Sequence, residues 1–147
     1  MHLGELISSL FSNLQSLCRS NIILENASFQ QIIGLLSIGC EGTEMSNLSL
    51  RLGIDNSTAT RLIIGLEKKN WVTRKKSQSD NRVVVVFLTE EGKSAQKEIE
   101  KQFDDLGEKI KSQIPIDENV STFNSLSILN WTLMKIKMET ENVVLCK

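Results

Sequence analysis

The chain carries one histidine, His2, one proline, Pro115, no tyrosine and no Cys-x-x-Cys pair. A lone histidine at the second residue leaves no Ser/His or Cys/His set for nucleophilic catalysis and no imidazole for a Cys/His zinc site. A glycine-rich phosphate loop is missing as well. Cys18, Cys40 and Cys146 are odd in number and widely spaced. They form no disulfide framework and read as buried or inert thiols. No apolar run approaches the roughly 18 residues of a membrane helix. The start, Met1-His2-Leu3-Gly4-Glu5, has neither the basic stretch nor the cleavage site of a secretory signal. These absences argue against an enzyme, a metal centre, a cofactor and a membrane partner. They predict a cytoplasmic protein.

What is present is an uneven charge. The 147 residues suit one domain, and their net charge is −1. The window Arg51–Arg82 holds eight basic and three acidic residues, a surplus of five positive charges. The rest of the chain has nine basic and fifteen acidic residues, a deficit of six. The middle can attract phosphates while the flanks cannot.

Hydrophobic spacing supplies the elements. Leu3, Leu6, Ile7, Leu10, Leu14 and Leu17 predict a helix from 3 to about 22. Its apolar side is either a core face of this chain or a face shared with a second subunit. Ser28 and Gln31 make a capping box for a short apolar helix through Phe29, Ile32, Leu35 and Ile38, stopped at Gly39–Gly42. Thr43 or Glu44 opens a third helix, with Met45, Leu48 and Leu52 inward, ended by Gly53. Asp55 caps a fourth from about 56 to 69. Two short helices joined through glycine are a helix-turn-helix.

The fourth helix puts Ala59, Leu62, Ile63 and Leu66 on one side and Ser57, Thr60, Arg61, Ile64 and Lys68 on the other. Small hydroxyls let its backbone approach base edges, and Arg61 can fork to a guanine or hold a phosphate. Ile64 can touch a thymine methyl. Plain solvated surface is the alternative for this face taken alone. Asn70 suits a left-handed helix end. The β-rich runs Trp71–Arg74 and Val83–Leu88 then flank a polar tip, Ser77–Asn81, with Lys75, Lys76 and Arg82 beside it. An arginine there can enter a minor groove, and Asp80 can orient it. The combination reads as a winged helix for double-stranded DNA. Thr89 caps a fifth helix to about Ser112, Pro115 interrupts, and Asp117 caps a sixth carrying Val120, Phe123, Leu126, Leu129, Leu133 and Ile136.

The order R-L-I-I-G-L-E-K-K-N-W-V-T-R, then S-D-N-R, then L-T-E-E-G is similar to the MarR (multiple-antibiotic-resistance regulator) family of winged-helix repressors. The matching residues are Arg61, Leu62, Leu66, Glu67, Lys68, Lys69, Val72, Arg74, Asp80, Arg82, Leu88, Thr89 and Gly92, within about residues 43–92. Asn70 stands where the family has glycine, Trp71 where an aliphatic residue is common, and Ile64-Gly65 where a polar pair occupies the outer helix face.

The resemblance implies a mainly α fold with a small β-hairpin wing, α-α-α-α-β-β-α-α, some members adding a strand near Cys40–Thr43. It implies a single domain over 1–147, with a DNA-binding lobe at about 28–90 and dimerisation helices at about 3–22 and 90–140. It further implies a homodimeric regulator, a repressor, that binds a palindromic operator and is released by a small molecule. Ser57, Thr58, Thr60 and Arg61 would face the major groove and Arg82, oriented by Asp80, the minor groove. Lys68, Arg74, Lys75 and Lys76 would meet phosphates. Phe29, Leu36 and Met45 are candidates to line an effector pocket, with core packing as their other reading. Peroxide-sensing relatives place a cysteine among tyrosines early in the first helix, which Cys18 does not match. The alternative function is a winged-helix protein-interaction module without DNA binding.

Overall fold

A computed structural model describes residues 2–145 of the chain, and the side chains of residues 2–140. Cys146 lies outside the described residues. The element order is α1 (Leu3–Asn21), α2 (Phe29–Leu36), β1 (Thr43–Glu44), α3 (Met45–Leu52), α4 (Asn56–Lys68), β2 (Val72–Lys76), β3 (Val84–Leu88), α5 (Glu90–Lys111) and α6 (Asn119–Leu145). The described residues form two compact units that divide inside α5, between Asp105 and Leu106.

The first unit is built on the apolar side of the helix-turn-helix. Ile32, Leu35, Leu48, Ala59, Ile63 and Leu66 are all but fully buried. Gly34 lets α2 and α4 meet: a Cβ there would stand 2.7 Å from a Leu62 methyl. The capping box of α2 forms as expected. The Gln31 amide donates to the Ser28 hydroxyl at 3.2 Å, and the Ser28 amide to the Gln31 side chain at 3.1 Å. Buried Ser49 joins the two helices of the motif, its hydroxyl 2.8 Å from both the Ser46 carbonyl and Asn56 Oδ1. On α5, Gln96 donates to the Leu35 and Ile38 carbonyls at 2.9 and 3.0 Å, satisfying groups that the end of α2 leaves open.

The sheet order is β1-β3-β2, antiparallel throughout, with Arg74 and Thr43 both opposite Val86. Thr43 therefore does not open α3, whereas Glu44 stands at its N-cap as expected, without a side-chain capping bond. They pair with Val86 and Val85, and the helix starts at Met45. Lys75 and Lys76 form the end of β2, flanking the tip as expected and carrying the strand two residues past Arg74. Gly42, at φ +88°, has no room for a side chain, since a Cβ would meet the Phe87 ring at 2.6 Å.

The wing is anchored at its foot by Thr89. Its hydroxyl donates to the Asn70 carbonyl at 2.6 Å and accepts from the Gly92 amide at 3.0 Å. One side chain thus caps α5 and ties it to the end of α4, where Asn70 adopts the expected left-handed φ of 59°.

In α1 no residue is buried, and Leu3, Phe11, Leu14 and Leu17 are exposed. The core-face reading of this helix is therefore not met within the chain. In the second unit a 3-10 turn at Ile116–Glu118 contains Asp117, so α6 begins at Asn119 and not at an Asp117 cap. Its hydrophobic residues are exposed on more than one side, including Phe123, Leu126, Trp131, Leu133 and Met134. Among the described residues no helix is long and apolar enough to cross a membrane.

Candidate nucleic-acid interface

Asp55 organises the start of α4. Its carboxylate accepts from the Thr58 amide at 2.9 Å, from the Thr58 hydroxyl at 2.6 Å and from the Ser57 hydroxyl. These bonds favour the charged form, led by the one from Ser57, and hold the carboxyl well below its ordinary value of 3.8. Thr60 donates back to the Asn56 carbonyl at 2.8 Å. The hydroxyls of Ser57, Thr58 and Thr60 have thus spent their hydrogens, and each oxygen offers only lone pairs outward.

A carboxyl held down in the folded state contributes stability that is complete above the ordinary carboxylate range and lost as pH falls below it. Thermal melts from pH 7 to pH 2 should therefore show an acid-sensitive part that Asp55→Asn removes, because asparagine caps a helix without titrating. Parallel acid limbs in the two proteins would refute this role.

Ser57, Arg61, Ile64 and Lys68 are exposed along one face of α4, and Thr58 is exposed in its first turn. Thr60 is half-buried at the edge of that face. Gly65 is not on it. A Cβ there would stand 2.7 Å from the Gln31 amide nitrogen, so the missing side chain makes room for the capping box of α2. The outer-face departure from the family pattern is Ile64 alone.

Asn56 and Thr60 on α4, Arg74, Arg82, Val83 and Val84 on the wing, and Met45 and Ser46 on α3 line a cleft of about 350 Å³. Helix and hairpin thus face the same space. Arg82 is 92% exposed, its Nε 3.3 Å from Asp80 Oδ1, which also accepts the Arg82 amide at 2.9 Å. The two side chains thus meet, as their spacing leads one to expect. Arg74 is held by Glu67 at 2.8 Å, so its charge is partly satisfied before any phosphate arrives.

Lys75 and Lys76 are not in that cleft. They line another of about 510 Å³ with Glu41, Glu44, Asn47 and Arg51. Lys75 Nζ rests 5.7 Å from the centre of the Phe87 ring. Asn56 and Ser46 are cleft residues not foreseen from the sequence, and Met45, expected in the core or in an effector pocket, lines the same cleft. Their signal is position, at the first residue of α4 and in the first turn of α3. Phe29 and Leu36 do not join Met45 there. Phe29 is half-buried beneath the Arg19 guanidinium, 4.8 Å from its ring centre.

Burial pushes the Cys18 thiol up from its ordinary value, which lowers its thiolate fraction. Cys40 is exposed. Among the described residues no group of histidine, cysteine or acidic side chains could hold a metal ion.

The MarR family model matches residues 31–84, from α2 to the start of β3. The chain is 32% identical over 114 residues to the uncharacterized HTH-type transcriptional regulator YfiV of Bacillus subtilis, covering 76% of this chain and 71% of that protein. The chain belongs to the MarR family. It is also 33% identical over 92 residues to the transcriptional repressor MprA of Escherichia coli, covering 63% of this chain and 52% of that protein. It thus spans about half the length of that relative. A mutant MarR from Escherichia coli complexed with operator DNA superimposes with a TM-score of 0.69 at 25% identity, over 91% of this chain and 92% of that one. The MarR winged helix explains why α4 and the β2–β3 hairpin flank one cleft.

Proposed function

We propose that this MarR-family chain is a sequence-specific DNA-binding transcription regulator that acts as a homodimer on a palindromic operator. The observation that carries the reading is the shared cleft, where the start of α4 and the wing arginines Arg74 and Arg82 converge. A DNA complex of a similar fold supports it. In the proposed pose Ser57, Thr58, Thr60 and Arg61 face the major groove. Arg82, steadied by Asp80, enters the minor groove, and Lys68, Arg74, Lys75 and Lys76 meet phosphates. The DNA-binding lobe is about residues 28–90, and α1, α5 and α6 supply the dimer contacts. The similarity to MprA, a transcriptional repressor, supports repression, with release by a small molecule as the remaining part of the proposal.

Arg82→Ala tests the pose. The residue is nearly fully exposed, so its loss leaves the fold intact while removing a positive charge from the DNA. Affinity for a selected palindromic duplex should fall about tenfold near ~0.1 M salt, and the slope of log K against log salt should become shallower by about one. Unchanged affinity and slope in a titration would refute the wing assignment. The exposed Ile64 is the observation that favours the other reading, a protein-interaction module. That reading prevails if micromolar protein fails to bind mixed genomic DNA at low salt.

A further inference from the structure

The outer face of α4 is polar except at one place. Ile64 is 36% exposed, while its neighbour Ile63, about 100° away around the helix, is fully buried. Isoleucine is a weaker helix former than leucine, lysine or glutamate. Helix propensity does not account for Ile64, and the third of its surface that reaches solvent is not used by the core. It sits one turn beyond Arg61 and one turn before Lys68, along the stripe that begins at Ser57.

The hydroxyls at the head of that stripe have already donated, to Asp55 and to the Asn56 carbonyl. In this arrangement their oxygens face outward as acceptors. In a major groove the donors are the amino groups of adenine and cytosine, whereas guanine O6 and N7 and thymine O4 accept. The head of the helix therefore suits adenine or cytosine. The one apolar feature an unmodified base shows in that groove is the 5-methyl group of thymine. An exposed branched aliphatic side chain on the same face is its natural counterpart. Adenine amino and thymine methyl are displayed together by the A·T pair.

We infer that Ile64 is a specificity-determining residue that reads a thymine 5-methyl group in the major groove, within an A·T-containing half-site. The inference rests on the proposed DNA-binding reading and adds to it the base feature that the helix selects. Gly65 follows Ile64 without competing for the groove, because its open side is filled by Gln31.

The experiment uses the full chain. A tight duplex is first selected from a random-sequence pool and then resynthesised with deoxyuridine at each thymine in turn. That change removes one methyl group and leaves every hydrogen bond of the base pair intact. At one thymine per half-site, uracil should weaken binding by the wild-type protein about fourfold, the weight of one buried methyl group. Ile64→Ala should bind the thymine duplex more weakly and lose the penalty for uracil at that position, while Ile64→Val keeps it. Circular dichroism should show both variants folded, since the side chain is exposed. Tolerance of uracil at every position overturns the inference, as does an undiminished uracil penalty in Ile64→Ala. Either result leaves the DNA-binding reading standing, because affinity and salt dependence are measured on the same duplex. Failure of the pool to yield any bound duplex removes that reading and the inference with it.

Discussion

Gly92→Ala is expected to destabilise this protein by about 3 kcal/mol or more, a large loss for a single added methyl group. A Cβ at Gly92 would stand 1.8 Å from the Trp71 carbonyl oxygen, 2.8 Å from its carbon and 3.2 Å from its Cα. All three are backbone atoms, so no rotamer change relieves the clash. Trp71 cannot withdraw freely. Its carbonyl accepts the Thr89 amide at 3.0 Å, and its amide donates to the Leu66 carbonyl at 3.1 Å. Gly92 in turn is pinned by its bond to the Thr89 hydroxyl. Either the wing leaves α4 or α5 leaves the wing. Gly107 in the same helix is the control, because a Cβ there meets nothing within 4 Å. Gly107→Ala should stabilise by roughly 0.5–1 kcal/mol through helix propensity. Urea denaturation of the two variants should therefore move the midpoint in opposite directions. A Gly92→Ala midpoint at or above wild type would show that the wing junction is not the tight contact described above.

That junction also shows what the sequence makes legible. Thr89 and Gly92 stand in a recognisable Leu-Thr-x-x-Gly, and the Ser28–Gln31 box and the left-handed Asn70 follow from local rules of capping and backbone sterics. Local rules fail where the decisive partner is distant in the chain. Thr43 and Glu44 look like the mouth of a helix, which Glu44 is as the N-cap of α3, and two residues carry no alternation to announce a strand. Their strand exists because Val85 and Val86 offer an open edge some forty residues later. Gly65 looks like a weakness on an outer face until Gln31 is brought against it. Lys75 and Lys76 read as residues beside the tip because β-propensity falls off at the first lysine, and pairing with Val85 and Val84 carries the strand through them. The candidate site divides in the same way. The face of α4 follows from helical period alone, and Asp80 with Arg82 from their short spacing. The involvement of Asn56 and Ser46 needed the turn between α3 and α4 to close.

The second large effect is expected on assembly. In the second unit α6 carries one apolar stripe through Val120, Phe123, Trp131, Met134 and Met138, and another through Leu126, Leu133 and Ile136, all exposed. A helix that is apolar on more than one side requires burial on more than one side. In the first unit, α1 likewise exposes Leu3, Leu6, Phe11, Leu14 and Leu17. Under the proposed reading, a second copy of the chain covers these surfaces. Leu126→Glu combined with Leu133→Glu places two charges on one stripe without touching the residues of the DNA cleft. Sedimentation should then report a monomer at concentrations where the wild-type chain is a dimer. Affinity for a two-half-site palindrome should fall by about 100-fold or more, since the second half-site is no longer held at high effective concentration. Affinity for a duplex with a single half-site should stay within a few fold, because α4 and the wing are intact. The ratio of the two affinities separates lost assembly from lost DNA contact. If the double variant remains dimeric, or binds the palindrome as tightly as wild type, the stripe through Leu126 and Leu133 is not the subunit interface.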